Sequence, residues 1–481
     1  MTGGCSSVAA LAGPAAHHEG IVPSAVRSPV GFVGLGWAVL WLAVGCVAAA
    51  LAAEPAEEPP PDWDGLKSLM DSGRYEEAAG AAAAIAKQIK PKRRAPDYLP
   101  AMVGLTQALM QQGIAELKLG RLDDADTAFT EAYRSFRDRE FQRLVSIEVR
   151  RGKSVPQLVM LELSWIELLN LRTEVILERL RQVGRGPSGA EPADDDLEKL
   201  RVQVADWLEE LERQEKLAVK AREALAPGFQ KGGSKILTSP RCQTLISSFY
   251  PALHAGVRAR ELAGLPFAVE VDGAEGLVTE AGNTGRSALV RAALERFKEA
   301  RDALDAALAA ALPRNASGLK AEQRIEAAML QAELLLHEGI ALLEAGNLDA
   351  ARKDLWNVLD LQKEIATLRK RPADELRVDR LLPLLAAAEV AVAESEQHLA
   401  DAVADAAREA ALEASALLTQ AGQQPLAESH PLAVKQEQLK ARVARQVAAL
   451  ERSIPRSDAA DAAARRLRVG IDQTDPTGAS F

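Results

Sequence analysis

Residues that could do chemistry are few in this chain, and their spacing does not suit them to it. His337 and Glu338 stand side by side, as in helical zinc sites where a second histidine follows four residues after the first. That position here is Ala341, so the pair lacks its second ligand. His254, His398 and His430 have no carboxylate or cysteine at ligand spacing. Cys242, His254 and Asp272 supply the groups of a nucleophile, a base and an orienting carboxylate, but no local signature accompanies them. Neither a G-x-S-x-G elbow nor a G-x-x-x-x-G-K-[ST] phosphate loop occurs, and Gly232-Gly233 lacks a strand–helix context. The reading is of a chain that is not an enzyme, with no catalytic, metal or cofactor residue.

Composition narrows the partner. Net charge is −10, from 58 basic and 68 acidic residues, which argues against nucleic acid. Lys87, Lys90, Lys92, Arg93 and Arg94 make one basic cluster. It reads as a solvated loop whose cations suit a helix C-terminus, or else as a contact for an anionic lipid, polymer or acidic partner. Asn315-Ala-Ser317 matches a glycosylation sequon and also suits a loop and helix cap.

The elements that position these residues are helices. Hydrophobic residues make up 48% of the chain and aromatics only 4%, so Ala and Leu supply the apolar content, and Ala is the best helix former. One pattern recurs. Gly113, Gly120, Ala125, Phe129 and Ala132 are separated by steps of 7, 5, 4 and 3. Gly339, Gly346, Ala351, Leu355 and Val358 repeat those steps, and so do Leu66, Gly73, Ala78, Ala82 and Ile85. Small residues at Gly113 and Ala125 let two helices approach closely. Gly120 ends the first helix with a residue free to take positive φ. Leu122, Leu348 and Tyr75 then clip the turn, and Phe129 and Ala132 continue the apolar stripe of the second helix.

These marks resemble the tetratricopeptide repeat, over about 30 residues at each of three places. The terminal proline of that family is absent at Arg137 and Lys363, and the copies are not in tandem. The resemblance implies paired helices whose first members line a groove that holds a peptide or partner helix. It places Gln107, Gln111, Glu116 and Lys118 of one copy and Glu333, Glu338 and Glu344 of another on that groove.

Periodicity predicts further helices over Gln157–Gln182, Asp194–Leu225, Arg286–Leu312, Pro372–Gln420 and Lys435–Ser453. The fold class expected is all-α: helical hairpins and long antiparallel helices, as a solenoid or bundle. The expected divisions are an N-terminal helical domain over 63–226, an irregular insertion over 227–285 and a C-terminal helical domain over 286–454. A flexible tail over 455–481 follows. Within the insertion, Phe267–Val271 and Gly276–Glu280 flank an Asp272-Gly273 turn and read as a small β-hairpin or ordered loop.

Residues 31–53 form an uncharged apolar run of 23 residues, preceded by Arg27 and followed by the acidic, Pro-rich linker 54–62. With Ala50-Leu51-Ala52 at its end it reads as a cleaved signal peptide, and its length also suits a retained membrane anchor. Ala43-Val44-Gly45-Cys46 offers a third reading, lipidation at Cys46. Residues 1–25 fit poorly ahead of a signal, so translation is expected to begin near Val26. The function expected is a non-enzymatic adaptor for a protein or peptide, exported to the periplasm or cell envelope, with membrane contact only through the N-terminal segment. A self-associating envelope scaffold is the alternative, and a hydrolase with its site in 227–285 ranks third.

Overall fold

The structure is a computed structural model, and it describes residues 62–93, 95–151, 155–184, 194–232, 239–265, 283–312, 318–370, 378–423 and 431–453. Every regular element among them is a helix. In chain order these are α1 (Trp63–Ser72), α2 (Tyr75–Gln88), α3 (Tyr98–Lys118), α4 (Leu122–Phe136), α5 (Arg139–Arg151), α6 (Val155–Gly184), α7 (Asp194–Gly232) and α8 (Pro240–Ile246). They continue with α9 (Phe249–Ala263), α10 (Asn283–Ala311), α11 (Ala321–Glu344), α12 (Leu348–Leu368), α13 (Val378–Ala400), α14 (Ala404–Gly422) and α15 (Pro431–Ser453). The apolar run 31–53, the β-hairpin expected over 267–280, the sequon and the tail all lie outside the described residues. Among the described residues, no helix is long and apolar enough to cross a membrane.

Six hairpins follow one another: α1–α2, α3–α4, α6–α7, α9–α10, α11–α12 and α13–α14. α5 and α8 are short connecting helices, and α15 packs on α13 and α14. The second helix of one hairpin meets the first of the next in the pairs α2 on α3, α4 on α6, α10 on α11 and α12 on α13. First helices also touch in series, from α3 to α6, α9, α11 and α13. Second helices make no comparable contact with one another among the described residues. One side of the array is therefore lined by first helices.

Local sequence explains the hairpins. Gly73, Gly120 and Gly346 have φ of +73°, +74° and +76°, a region that disfavours any side chain. After each, a backbone N–H reaches back to close the helix: Arg74 to the Leu69 carbonyl at 3.0 Å, Arg121 to Glu116 at 2.9 Å and Asn347 to Leu342 at 2.9 Å. A Cβ added at Gly113 would lie 2.5 Å from the Phe129 ring, and one at Gly339 would lie 2.8 Å from Leu355. Ala125, Ala351 and Ala78 are fully buried at the same level.

Two more hairpins follow this plan without the full sequence pattern. In α9–α10, a Cβ on Gly256 would lie 2.6 Å from the Phe297 ring, with Ala293 and Ala300 buried on either side. The spacing from Ala293 to Phe297 to Ala300 equals that from Ala125 to Phe129 to Ala132. Gly256 and Phe297 are 41 residues apart, however, where Gly113 and Phe129 are 16 apart; 19 residues separate α9 from α10, against three between α3 and α4. In α13–α14, Ser395, Ala407, Ala411 and Ala414 have no exposed surface. The Ser395 hydroxyl donates to the Ala407 carbonyl at 2.8 Å, and Ala402 takes the positive-φ position at +57°. Here the marks are Ser395, Ala402, Ala407, Ala411 and Ala414, again on steps of 7, 5, 4 and 3.

The segment 227–285, expected from its glycines, prolines and serines to be irregular, is largely helical where it is described. α7 runs on to Gly232, and α8 and α9 occupy 240–246 and 249–263. Cys242, Leu245, Phe249 and Leu253 join one core with α6, α10 and α11. The apparent helix breakers have specific places: Ser239 caps α8, Pro240 opens it, and Gly256 lies against Phe297.

Candidate functional site

α6 carries Glu167, Asn170, Glu174, Glu178 and Arg181 at helical spacing on one face. Its other sides are engaged by neighbours. Arg172 pairs with Glu210 of α7 at 3.3 Å, and Arg179 with Asp123 and Asp126 of α4 at 2.9 and 3.3 Å. The polar face turns instead towards α8, α9 and α11.

At one end of this face, α8 bridges α6 and α11. The half-buried Arg241 guanidinium donates to the buried Glu167 at 2.5 Å. The Ser239 hydroxyl donates to Glu326 of α11 at 2.6 Å, and the Arg241 N–H donates to the same oxygen at 3.4 Å. Burial, with Glu326 nearby, pushes the Cys242 thiol up to about 12. Burial, with Arg222, drives the His254 imidazole down to about 3. The first is a neutral thiol and the second a neutral ring at physiological pH, and Asp272 lies outside the described residues.

At the other end, Arg181 pairs with Glu178 and, at 2.9 Å, with Glu261 of α9. Arg260 pairs with Glu261 and donates to the His337 carbonyl at 3.3 Å, with the His337 Nδ1 at 3.4 Å. Burial works to raise Glu261, but Arg260 and Arg181 outweigh it and hold the carboxyl at about 2. His337 is held neutral by burial and by the two arginines. No group of three metal-ligating side chains occurs among the described residues.

Between these ends stand Glu174 of α6 and Glu333 of α11, both half-buried. Burial first, and the charge of Glu333 second, lift the Glu174 carboxyl to about 7, against the pull of Lys118 and Arg241. Burial also lifts Glu333. No hydrogen bond from a described residue reaches either carboxylate. Burial likewise raises the Tyr250 hydroxyl, which lies within electrostatic reach of Arg241, Glu333 and Glu174.

α3 also carries buried amides. It packs on α6 through Met110 and Ile114 against Leu168, Leu171 and Val175. Gln107 and Gln111 lie one turn apart, with Lys118 two turns further along and exposed, in electrostatic reach of Glu174 and Glu333. Gln107 is 3% exposed, Gln111 1% and Asn170 5%. Both amide atoms of Gln107, Nε2 of Gln111 and Nδ2 of Asn170 have no partner among the described residues. Buried polar atoms are paired in the great majority of cases, so three such side chains on two packed helices are unusual.

Of the residues that the resemblance placed on a groove, Lys118 and Glu333 lie in electrostatic reach of each other, while Gln107 and Gln111 are buried further along α3. Glu344 lies at the exposed end of α11, in electrostatic reach of Arg260 and Glu261. Glu116 lies elsewhere: it meets Arg121 at 3.4 Å, and Arg121 reaches Glu76 of the first hairpin at 2.5 Å. Glu338 pairs with Arg301 of α10, which also stands 3.8 Å from Asp354 of α12. Sequence reasoning missed Glu167, Asn170, Glu174, Arg241 and Tyr250. The signal was present in α6, as a polar stripe at steps of 3, 4, 4 and 3 through an otherwise apolar helix.

Fold and site together define an all-helical array of paired helices with a polar face along its first helices. No family model and no curated protein matches the chain.

Proposed function

We propose that this chain is a non-enzymatic interaction protein of the tetratricopeptide-like type, and that it binds a peptide segment of another protein along α3, α6 and α11. One observation carries the reading: the buried, unpartnered amides of Gln107, Gln111 and Asn170 on the first helices α3 and α6. An amide side chain offers both a donor and an acceptor, which is the complement of a peptide backbone. The apolar run 31–53 and the Ala50-Leu51-Ala52 site support export of the mature chain.

Affinity capture from cell envelopes with the full chain tests this. The expected result is one or two dominant foreign proteins that are lost with Gln111→Leu/Asn170→Leu, a change that fills the same space and removes the amides. Recovery of the bait alone as a defined oligomer would instead establish the scaffold.

A further inference from the structure

We propose that the exposed cations at the end of α2, in the α2–α3 loop and at the α4–α5 corner form one basic surface that docks on an anionic phospholipid membrane. This goes beyond the peptide-binding reading and does not depend on it. It extends lipid contact from the N-terminal segment to the folded array.

The two basic segments are far apart in sequence, and the fold joins them. Arg93 of the loop pairs with Asp138 at the corner at 2.9 Å, across 45 residues of chain. The Tyr98 hydroxyl, at the start of α3, donates to the other oxygen of the same carboxylate at 2.8 Å. That oxygen also accepts the N–H groups of Glu140 and Phe141 at 3.0 Å, which fixes the start of α5. On one side of this bridge Lys87, Lys90, Lys92 and Arg93 are exposed, and on the other Arg134, Arg137, Arg139 and Arg143. Of the acids among them, Asp138 is taken up by the bridge, and Glu140 is held by Arg143 at 2.6 and 2.9 Å.

The charge is segregated. Residues 87–97 and 131–143 together hold nine basic and four acidic side chains, a net of +5. The chain as a whole carries −10, so the remainder carries −15. Among the described residues, no large hydrophobic side chain is exposed on this surface. A protein interface centres on apolar or aromatic anchors, whereas a layer of lipid headgroups asks only for charge.

The surface also lies where the chain enters the fold. Trp63, the first residue of α1, packs in one apolar cluster with Ile89, which stands between Lys87 and Lys90 in sequence. Both close on Gly104, where a Cβ would lie 3.3 Å from Ile89 and 3.9 Å from Trp63. The linker 54–62 then spans at most about 35 Å back to the apolar run 31–53. A bilayer that holds the run is thus within reach of the basic surface. After cleavage at Ala50-Leu51-Ala52 the same surface still holds the mature chain to the membrane.

The test uses the full chain carrying Leu40→Asp/Val44→Asp, which keeps the apolar run out of the bilayer. It is mixed with vesicles of phosphatidylcholine alone or of equal parts phosphatidylcholine and phosphatidylglycerol, and partition is read by flotation. Partition into the mixed vesicles is expected to be at least about tenfold stronger, and to be lost at high salt. Lys87→Gln/Lys90→Gln/Lys92→Gln and Arg134→Gln/Arg137→Gln/Arg139→Gln each remove one side of the surface. Each should weaken partition into the mixed vesicles by about tenfold, with helical circular dichroism unchanged. Lys220→Gln/Arg291→Gln/Lys298→Gln, three exposed cations of α7 and α10, should leave it as it was. Equal partition into both vesicles would overturn the inference, and so would an equal loss in the α7 and α10 variant. Partition that appears only after Glu57→Gln/Glu58→Gln would give the surface to the acidic linker in place of lipid.

Discussion

The interior of a hairpin and the face between α6, α8, α9 and α11 are built on opposite rules. Inside the hairpins the contacts are apolar and repeated. Gly113 lies against Phe129, Gly256 against Phe297 and Gly339 against Leu355, each with a buried small residue beside it. On the face, the contacts are ionic and each occurs once. Glu167 holds Arg241, while burial holds the carboxyls of Glu174 and Glu333 above their usual range, with the charge of Glu333 adding to the rise at Glu174. The interior gains stability from every contact, whereas part of the face is maintained at a cost to it. Locally unfavourable groups inside an otherwise consistent fold are where function is expected.

Substitutions should separate the two regions by sign. The largest effect is expected from Phe129→Ala and Phe297→Ala, both fully buried. Each should lower stability by about 3–5 kcal/mol in urea unfolding. Equal losses would show that α9–α10 uses the same packing as α3–α4 despite its longer turn, and a small loss at Phe297 would break that equivalence.

Next are Gly113→Ala and Gly256→Ala. Helix propensity favours alanine by about 1 kcal/mol, but a Cβ 2.5–2.6 Å from a ring carbon forces the helices apart. A net loss of about 1–3 kcal/mol is expected for each, read from the urea midpoint. A gain in either variant would mean that the close approach is dispensable.

On the face the sign reverses. Glu174 is held at about 7 by burial, then by Glu333, with Glu167 acting in the same sense and Lys118 and Arg241 opposing. Its folded pKa lies above the unfolded value of 4.5, so the folded state binds more protons across that interval. The associated stability is fully present below pH 4.5 and is lost as pH rises through about 7. Glu174→Gln should therefore raise stability at pH 8 by on the order of 1–2 kcal/mol and change it little at pH 4. Thermal melts at the two pH values check this, and a loss at pH 8 would place Glu174 among the stabilising contacts.

The smallest effect tests the turns. Ala402→Gly should stabilise by about 1 kcal/mol by relieving a side chain at φ +57°, and Gly120→Ala should destabilise by about as much. Denaturant midpoints that move in opposite directions would show that the two turns are one motif.

The helices and three of the hairpins were readable in the sequence because their marks are local. Gly73, Gly120 and Gly346 announce a turn, and the 3.6 period announces a helix on each side. Hairpin α13–α14 escaped because Ala402 occupies the turn and Ser395 the close-packing position. In an Ala-rich stretch neither stands out from its neighbours. Hairpin α9–α10 escaped because its longer turn moves Phe297 out of register with Gly256. The site was less legible still. Gln107, Gln111, Lys118 and Glu333 follow from helical position, but Arg241 reaches Glu167 across 74 residues of chain and Ser239 reaches Glu326 across 87. Tertiary packing alone sets such pairings.

The seating of α8 has a consequence for how the chain comes apart. In a linear array each hairpin senses only its neighbours, and unfolding runs inward from the ends. Glu167 belongs to the third hairpin and Glu326 to the fifth, yet both hold α8. A clasp between units that are not adjacent removes their freedom to open one at a time. The third, fourth and fifth hairpins then exchange amide hydrogens as a single block, while α1–α2 and α15 fray ahead of it.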